Sequence, residues 1–259
     1  MNVELEERDV VAIHRIPSDK LGPKPLIVRL FSSDVKRRVM REKKYLQDHD
    51  GSTALHIAAS KGNTEIVQLL IDNGIEINAQ NKDGSTALHS AASTGNTEMV
   101  QLLIDNGIEI NFQNKDGSTI LFDATLKGKT DIVHWLIDKG IDINVMDTDG
   151  STALHIAASK GNTEIVQLLI DNGIEINAQN KDGSTALHSA ASTGNTEMVQ
   201  LLIDNGIEIN FQNKDGSTIL FDATLKGKTD IVHWLIDNGI DINVMDTVDN
   251  AVIVRSMLE

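Results

Sequence analysis

Histidine is the side chain in this sequence best suited to acid–base or metal chemistry, because the chain of 259 residues contains no cysteine. Four histidines recur at one offset of a 33-residue period: His56, His89, His155 and His188. Residues that recur once per stacked unit lie far apart, so they form neither a metal-ligand set nor a nucleophile and base pair. His134 and His233 stand beside tryptophans, where surface or packing roles are expected. The sequence therefore predicts no enzyme, no metal site and no cofactor.

Two short segments imitate ligand-binding motifs. Gly128-Lys129-Thr130 matches the end of a phosphate-binding loop, but Asp123 stands where that motif requires its first glycine. The run from Asn81 to Gly84 imitates a calcium loop, but Ala79 occupies the first ligand position and Ser90 the last, where a bidentate Glu is needed. Neither a nucleotide site nor a calcium site is predicted.

Most of the chain consists of six copies of one unit of 33 residues. The copies span 50–82, 83–115, 116–148, 149–181, 182–214 and 215–247. A fixed period of this length is typical of stacked repeats, in which each unit buries its apolar faces against its neighbours. The predicted activity of such an array is binding.

Each unit reads as two helices and an extended finger. In the first copy, Thr53 is the expected N-cap of a short helix that Gly62 ends. Asn63 or Thr64 then caps a second helix, which carries a wide apolar stripe and stops at Gly74. The stripe comprises Ile66, Val67, Leu69, Leu70 and Ile71. The alternation of apolar and polar residues that begins at residue 75, and the turn residues that follow up to residue 83, indicate an extended finger with a turn at its tip.

These residues resemble the ankyrin family. The resemblance rests on the period, the Thr-Ala-Leu-His run that begins at Thr53, the paired alanines after it, the two glycines, and the asparagine at Asn78. It implies an all-α repeat solenoid of helix-turn-helix units with extended hairpin fingers, preceded here by a small α+β fragment. It also implies that the histidines brace the loops. The third and sixth units depart from the pattern, because Phe122 and Phe221 replace this histidine.

In the resembled family, the first helices and fingers line the concave binding face. The residues that vary most between units lie at three offsets of the first helix, and these are the predicted partner contacts. They are Ile57, Ser60, Lys61, Ser90, Ser93, Thr94, Asp123, Leu126, Lys127, Ile156, Ser159, Lys160, Ser189, Ser192, Thr193, Asp222, Leu225 and Lys226. Freely drifting surface is the alternative for any single residue. Phe112 and Phe211 are either finger contacts for a partner or packing residues.

The array has a second, longer period. Residues 50–148 and 149–247 differ only at Lys139, which is Asn238 in the second copy. Recent duplication, an assembly artefact and an engineered sequence all explain this identity. A site composed by three units would then occur twice, about 30 Å apart at ordinary helix packing distances, so a dimeric or repetitive ligand fits. A single site at the junction of the two copies is the alternative.

The finger asparagines stand in a context that resembles that of ankyrin-repeat asparagines that are hydroxylated. Each has an acidic residue two positions before it and a leucine eight positions before it. They are Asn78, Asn111, Asn144, Asn177, Asn210 and Asn243. The alternative is a structural role, in which the asparagine bonds the turn backbone.

Residues 1–49 read as two strands, Val10 to Ile13 and Leu26 to Phe31, and a basic helix from Ser33 to about Gln47. Residues 1–46 resemble part of the nucleic-acid-binding region of LINE-type retrotransposon proteins and of the baculoviral FP protein C-terminal domain. The resemblance implies phosphate contact by basic side chains. These are Arg15, Arg29, Lys36, Arg37, Arg38 and Arg41. A truncated, transposon-derived relic is the alternative.

Residues 248–259 read as a partial C-terminal capping half-repeat. Net charge is −15 and lies mainly in the repeats, which disfavours nucleic acid there and favours basic protein partners. No apolar run is long enough to span a bilayer, and the absence of cysteine indicates the cytoplasm or nucleus. The sequence thus predicts a non-enzymatic protein interaction scaffold. The alternative is a nucleic-acid-binding protein that acts through residues 1–49 and uses the repeats as a targeting module.

Overall fold

The computed structural model describes residues 10–15, 26–30 and 50–242. Near the N-terminus, β1 (Val10–Arg15) and β2 (Leu26–Leu30) pair antiparallel, with an irregularity in register between Val10 and Ala12. Both strands were predicted from the sequence, within two residues at each end. The predicted basic helix and the C-terminal half-repeat lie outside the described residues.

Residues 50–242 form twelve helices in six pairs. The first helices of the pairs are α1 (Ala54–Ser60), α3 (Ala87–Thr94), α5 (Ile120–Leu126), α7 (Ala153–Lys160), α9 (Ala186–Thr193) and α11 (Ile219–Leu225). The second helices are α2 (Thr64–Asp72), α4 (Thr97–Asp105), α6 (Thr130–Asp138), α8 (Thr163–Asp171), α10 (Thr196–Asp204) and α12 (Thr229–Asp237).

The chain divides into two compact units, Met1–Lys115 and Asp116–Glu259. In the first unit, α1 packs against α3. In the second, α5, α7, α9 and α11 pack in sequence order, and α6 packs on α8 as α10 does on α12. Each first helix also packs on the second helix of its own pair.

The first helices are short because a threonine N-cap and a following turn bound them on both sides. In α7, Leu154 and the neighbouring Ala157 and Ala158 are buried. Alanine has almost no side chain, so the backbones of adjacent first helices approach closely at these positions. Burial of the first helix therefore depends on the neighbouring repeat, as the sequence predicted.

The apolar stripe of the second helix is narrower than the sequence indicated. In α2, only Val67 is buried, and Leu69 is 51% exposed. In α8, by contrast, Ile165, Val166 and Leu169 are buried. The stripe contains two consecutive leucines, which are Leu168 and Leu169 in α8. Leu169 is buried in the core, whereas Leu168 is only half-buried.

The fingers are hairpin-shaped but contain no regular strand within residues 50–242. A bond from the Asn81 N–H to the Ser85 carbonyl closes the first tip. A second turn, at residues 77–78, interrupts the extended run that the alternation predicted. Successive tips are joined by backbone bonds, such as that from the Thr148 N–H to the Asp116 carbonyl at 2.8 Å.

The one difference between the two 99-residue copies changes a surface contact. The ammonium of Lys139 lies 5.3 Å from the ring centre of Trp135, a cation–π geometry. In the second copy, Asn238 instead donates to the Trp234 carbonyl at 2.8 Å. An exposed cation–π contact contributes about 0.5–1 kcal/mol, so the copies differ little in stability. Among the described residues, no helix is long and apolar enough to cross a membrane.

We expect Gly117→Ala to destabilise the protein more than Gly140→Ala. Both glycines have positive φ, +75° and +78°, so each alanine costs about 1–2 kcal/mol of backbone strain. A Cβ at Gly117 would also lie 2.8 Å from the Thr148 nitrogen, whereas one at Gly140 meets nothing within 4 Å. Urea unfolding of the full chain measures the difference, and equal losses would contradict the role of the tip-to-tip contact.

Candidate functional site

The eighteen predicted contact residues all lie at the surface of the first helices. None is buried; nine are exposed and the other nine are half-buried. The exposed ones are Lys61, Thr94, Leu126, Lys127, Ser159, Lys160, Thr193, Leu225 and Lys226. Ser60, Ser93 and Ser192, which hold the same offset as Ser159, are half-buried. We call these eighteen residues the first-helix face.

The spacing of these residues explains why they share one side of each helix. In α7, Ile156, Ser159 and Lys160 stand at positions i, i+3 and i+4, which face the same way. The opposite side of α7 carries buried residues that contact the neighbouring helices. The three varying offsets of the first-helix face therefore lie on the side of the first helix that is not buried.

In the second unit, the first-helix face forms a continuous series of four helices. Asp123, Ile156, Ser189 and Asp222 occupy the same offset on α5, α7, α9 and α11, which pack in that order. Leu126 is 45% exposed and Leu225 is 73% exposed, so the two ends of the series present apolar surface. In the first unit, Ile57 and Ser90 hold the same offset on α1 and α3.

Hydroxyl groups on the first-helix face donate to carbonyls of their own helices. Ser159 Oγ donates to the Ile156 carbonyl at 2.9 Å, and Thr193 Oγ1 to the Ala190 carbonyl at 2.8 Å. Their lone pairs remain able to accept hydrogen bonds from a ligand.

The histidines brace the start of four of the six first helices. The Nδ1 of His155 accepts the Thr152 N–H at 3.2 Å and lies 3.0 Å from the Thr152 hydroxyl. Its Nε2 lies 3.0 Å from the Ser184 carbonyl in the next repeat, to which it donates. Burial lowers the pKa of His155, although the Ser184 bond and Asp147 oppose this effect, so the ring is neutral and Nδ1 can accept. His155 thus stabilises the start of its helix and joins it to the next repeat, which is the bracing role that the resemblance implied.

Replacement of histidine by phenylalanine leaves polar groups without partners. Among the described residues, the buried hydroxyls of Thr119 and Thr218 have no hydrogen-bond partner, and Phe122 and Phe221 fill the positions of the missing rings. The Nε2 of His188 also lacks a partner within bonding distance, although Nδ1 keeps its contacts with Thr185.

Two carboxylates on the first-helix face are partly removed from water. Burial raises the pKa of Asp123 to about 7, and Lys127, one turn later, opposes this only in part. Burial likewise raises the pKa of Asp222 to about 6, opposed by Lys226. These pKa shifts could not be predicted from the sequence, because they depend on how deeply each helix packs.

The finger asparagines join successive repeats. The Oδ1 of Asn78 accepts the Glu109 N–H at 2.9 Å, and that of Asn144 accepts the Glu175 N–H at 2.8 Å. Asn177 bonds the Glu208 N–H in the same way. The structural alternative predicted a bond to the turn backbone, and the bond goes instead to the finger of the following repeat. Asn111 and Asn210 are exposed, and Asn243 lies outside the described residues.

The remaining candidate residues are dispersed. His134 is exposed and lies 3.4 Å from Asp138 on the same helix. Lys129 is the N-cap of α6, which places the imitation phosphate loop in a turn between helices. No group of three His, Asp or Glu side chains in the described residues could hold a metal ion. Phe112 and Phe211 are half-buried.

Of the basic N-terminal residues, Arg15 ends β1 and Arg29 lies within β2, where it pairs with Ala12. Lys36, Arg37, Arg38 and Arg41 lie outside the described residues. The resemblance of residues 1–46 to retrotransposon and baculoviral proteins stays a prediction.

Paired helices that stack through small residues, with turns that project from one end of each pair, define a helical repeat protein. A family model of ankyrin repeats matches the chain in three copies, at residues 25–114, 102–180 and 173–246. The chain belongs to the ankyrin-repeat family, and the predicted all-α repeat solenoid is confirmed.

A solved structure supports the same assignment. The chain is similar to the ankyrin repeat domain of Bcl-3, which its title calls a unique member of the IkappaB protein family. The two share 31% sequence identity with a TM-score of 0.69, over 80% of this chain and 95% of that one. No curated protein matches the sequence. Ankyrin repeats generally mediate protein–protein interaction and are typically not enzymes.

We expect Thr152→Val to destabilise the protein and Thr119→Val to leave its stability unchanged or raise it. Thr152 loses a hydroxyl contact with His155 worth about 1 kcal/mol, whereas Thr119 loses only a buried hydroxyl without a partner. The two residues hold equivalent N-cap positions, so each controls for the other. Urea unfolding of the full chain measures the two changes in the free energy of unfolding. Equal losses would show that the histidine brace contributes nothing.

Proposed function

We propose that this chain is a non-enzymatic scaffold that binds a protein partner on the first-helix face. The observation that carries the proposal is that the three offsets of the first-helix face differ between repeats although none of their residues is buried. Packing does not require a particular residue at these surface offsets, so they are free to specify a partner. We infer a location in the cytoplasm or nucleus.

The charge of the second unit supports a basic partner. Residues 116–242 contain 19 acidic and 8 basic side chains. A surface with this excess of negative charge attracts basic proteins and repels nucleic acid. Nucleic-acid binding through the basic side chains of residues 1–49 is the alternative proposal, and Arg15 and Arg29 of this set lie on the paired strands β1 and β2.

The proposal is tested by giving one repeat the first-helix face residues of another repeat. These residues already occur at the same offsets of this chain, so the fold should be kept. Ser189→Asp, Ser192→Leu and Thr193→Lys give α9 the face residues that α11 already carries. We expect this triple variant to capture its partner at least about tenfold less well, because a few contacts dominate an interface. Capture with the full chain as bait, followed by mass spectrometry, identifies the partner, and titration of that partner measures the loss.

The control exchanges the other side of the same repeat. Gln200→His and Leu201→Trp give α10 residues that α12 carries. We expect this variant to keep full binding. A loss of binding in the control together with full binding in the face variant would place the site on the second helices and refute the proposal. Salt-sensitive capture of nucleic acid instead of protein would favour the alternative.

We also propose hydroxylation of the finger asparagines. Exposure of Asn111, Asn144 and Asn210 supports access by a modifying enzyme, and the Oδ1 bonds of Asn78 and Asn144 do not involve the β carbon. Peptide mass spectrometry of protein from its native source should show the mass of one added oxygen on at least one of the six asparagines. Unmodified peptides at all six positions would leave only the structural role.

A further inference from the structure

Two carboxylates on the first-helix face are compensated only in part. Within residues 50–242, the side-chain carboxylates of Asp123 on α5 and Asp222 on α11 take part in no hydrogen bond or ion pair. Both residues are half-buried, and the Coulomb attraction of Lys127 and Lys226 offsets their burial only in part. A partly desolvated carboxylate that is compensated only in part is unfavourable, so a cation that reaches it gains more than one at an open surface.

An exposed leucine stands beside each carboxylate. Leu126 and Leu225 follow Asp123 and Asp222 by three positions and therefore lie on the same side of α5 and α11. They are among the most exposed large apolar residues described, at 45% and 73%. The buried hydroxyls of Thr119, one turn before Asp123, and of Thr125 on the same helix also lack hydrogen-bond partners.

The elements packed against these helices supply little positive charge. Those against α5 carry Asp131, His134, Asp138, His155 and Lys160. Of these, His155 is buried and neutral, and only Lys160 is a permanent cation.

The same holds for α11. The helices packed against it carry His188, Asp230, His233 and Asp237. The pKa of the buried His188 is lowered by its burial, so this ring is also neutral. Both carboxylates thus lie in mainly acidic surroundings, where Lys127 and Lys226 of their own repeats compensate them only in part.

We propose that Asp123 and Asp222 each bind a lysine or arginine of a protein partner whose adjacent apolar residue packs on Leu126 or Leu225. The partner is then a basic segment that carries this cationic and apolar pair twice. The inference rests on the proposed function, since it names the chemistry of the ligand for the same face. The Coulomb attraction and the apolar contact act together at each position.

The separation of the two positions sets the spacing within the ligand. They lie three repeats apart, which is about 25–30 Å at ordinary helix packing distances before any twist. An extended chain covers about 3.3 Å per residue, so about eight residues between the pairs would span this distance. Occupation of both positions makes the second contact intramolecular.

Because the carboxylates titrate, the affinity of the face for a cationic ligand depends on pH. The ionised carboxylate is the form that pairs with a cation, and the pKa of Asp123 is about 7 in the free protein. Binding below this pH must first release a proton, so affinity falls as pH falls. Between pH 8 and pH 6, the ionised fraction of such a group changes by about tenfold, which bounds the effect at Asp123.

A synthetic peptide provides the probe. It is labelled with fluorescein and carries two Lys-Leu pairs separated by about eight Gly and Ser residues. Fluorescence anisotropy with the full chain measures its affinity at pH 6 and pH 8. A peptide with glutamate in place of lysine controls for apolar contact alone, and a peptide with one pair controls for valency.

We expect the lysine peptide to bind and the glutamate peptide not to bind. Asp123→Asn and Asp222→Asn should each lower the affinity by about tenfold, since each removes one of the two charge contacts. Asp237→Asn, which makes the same chemical change at an exposed carboxylate of the second helix α12, should have no effect. The affinity should be higher at pH 8 than at pH 6, and Asp123→Asn should reduce this difference.

Several outcomes would overturn the inference: no binding of the lysine peptide at about 1 mM, equal binding of the glutamate peptide, or unchanged affinity in both asparagine variants. Circular dichroism verifies that the variants fold. If the triple exchange on α9 still disrupts capture of the natural partner, the proposed function stands and only the ligand chemistry is wrong. If that exchange has no effect either, both proposals fail.

Discussion

The close contact between neighbouring first helices is the constraint on which the rest of this structure depends. A pair of short helices cannot bury its own apolar side chains, and alanines such as Ala157 and Ala158 let the next helix approach until they are covered. Any larger residue at these offsets would separate the helices and expose the leucines beneath them. The repeat is therefore stable only within a stack.

The same contact determines which residues are free to vary. Helices as short as α5 or α7 are buried on most of their circumference, which leaves one narrow side that meets solvent. Residues on that side can change between repeats without a cost to packing. Because successive first helices are parallel neighbours in the second unit, their free sides form one surface, and a ligand can contact several repeats at once. Binding is thus a consequence of how the core is built.

Local sequence patterns predicted most of this architecture, because its rules are local. Thr53 at an N-cap, the paired alanines and the glycines each act within a few residues, so the helix bounds and the outward side of the first helix could be read directly. The two strands near the N-terminus also followed from composition. The features that the sequence could not show are those that depend on contacts between repeats. The reach of Asn78 to Glu109, the exposure of Leu69 and the desolvation of Asp123 all depend on how one repeat packs on the next.

The third and sixth repeats combine two departures on one helix turn, and their proximity has a physical meaning. Phe122 replaces the histidine brace and leaves the Thr119 hydroxyl unmatched, while the adjacent Asp123 carries a charge into a partly buried position. The unmatched hydroxyl and the partly buried carboxylate each lower the stability of these repeats relative to repeats that carry the histidine brace and an uncharged residue. Violations of local rules in otherwise consistent proteins are concentrated at functional sites. The neighbouring repeats, with His155 braced and Ile156 uncharged, supply the stability that lets these two repeats retain unmatched polar groups. The two repeats with the weakest internal bonding are accordingly those whose surfaces have most to gain from a ligand.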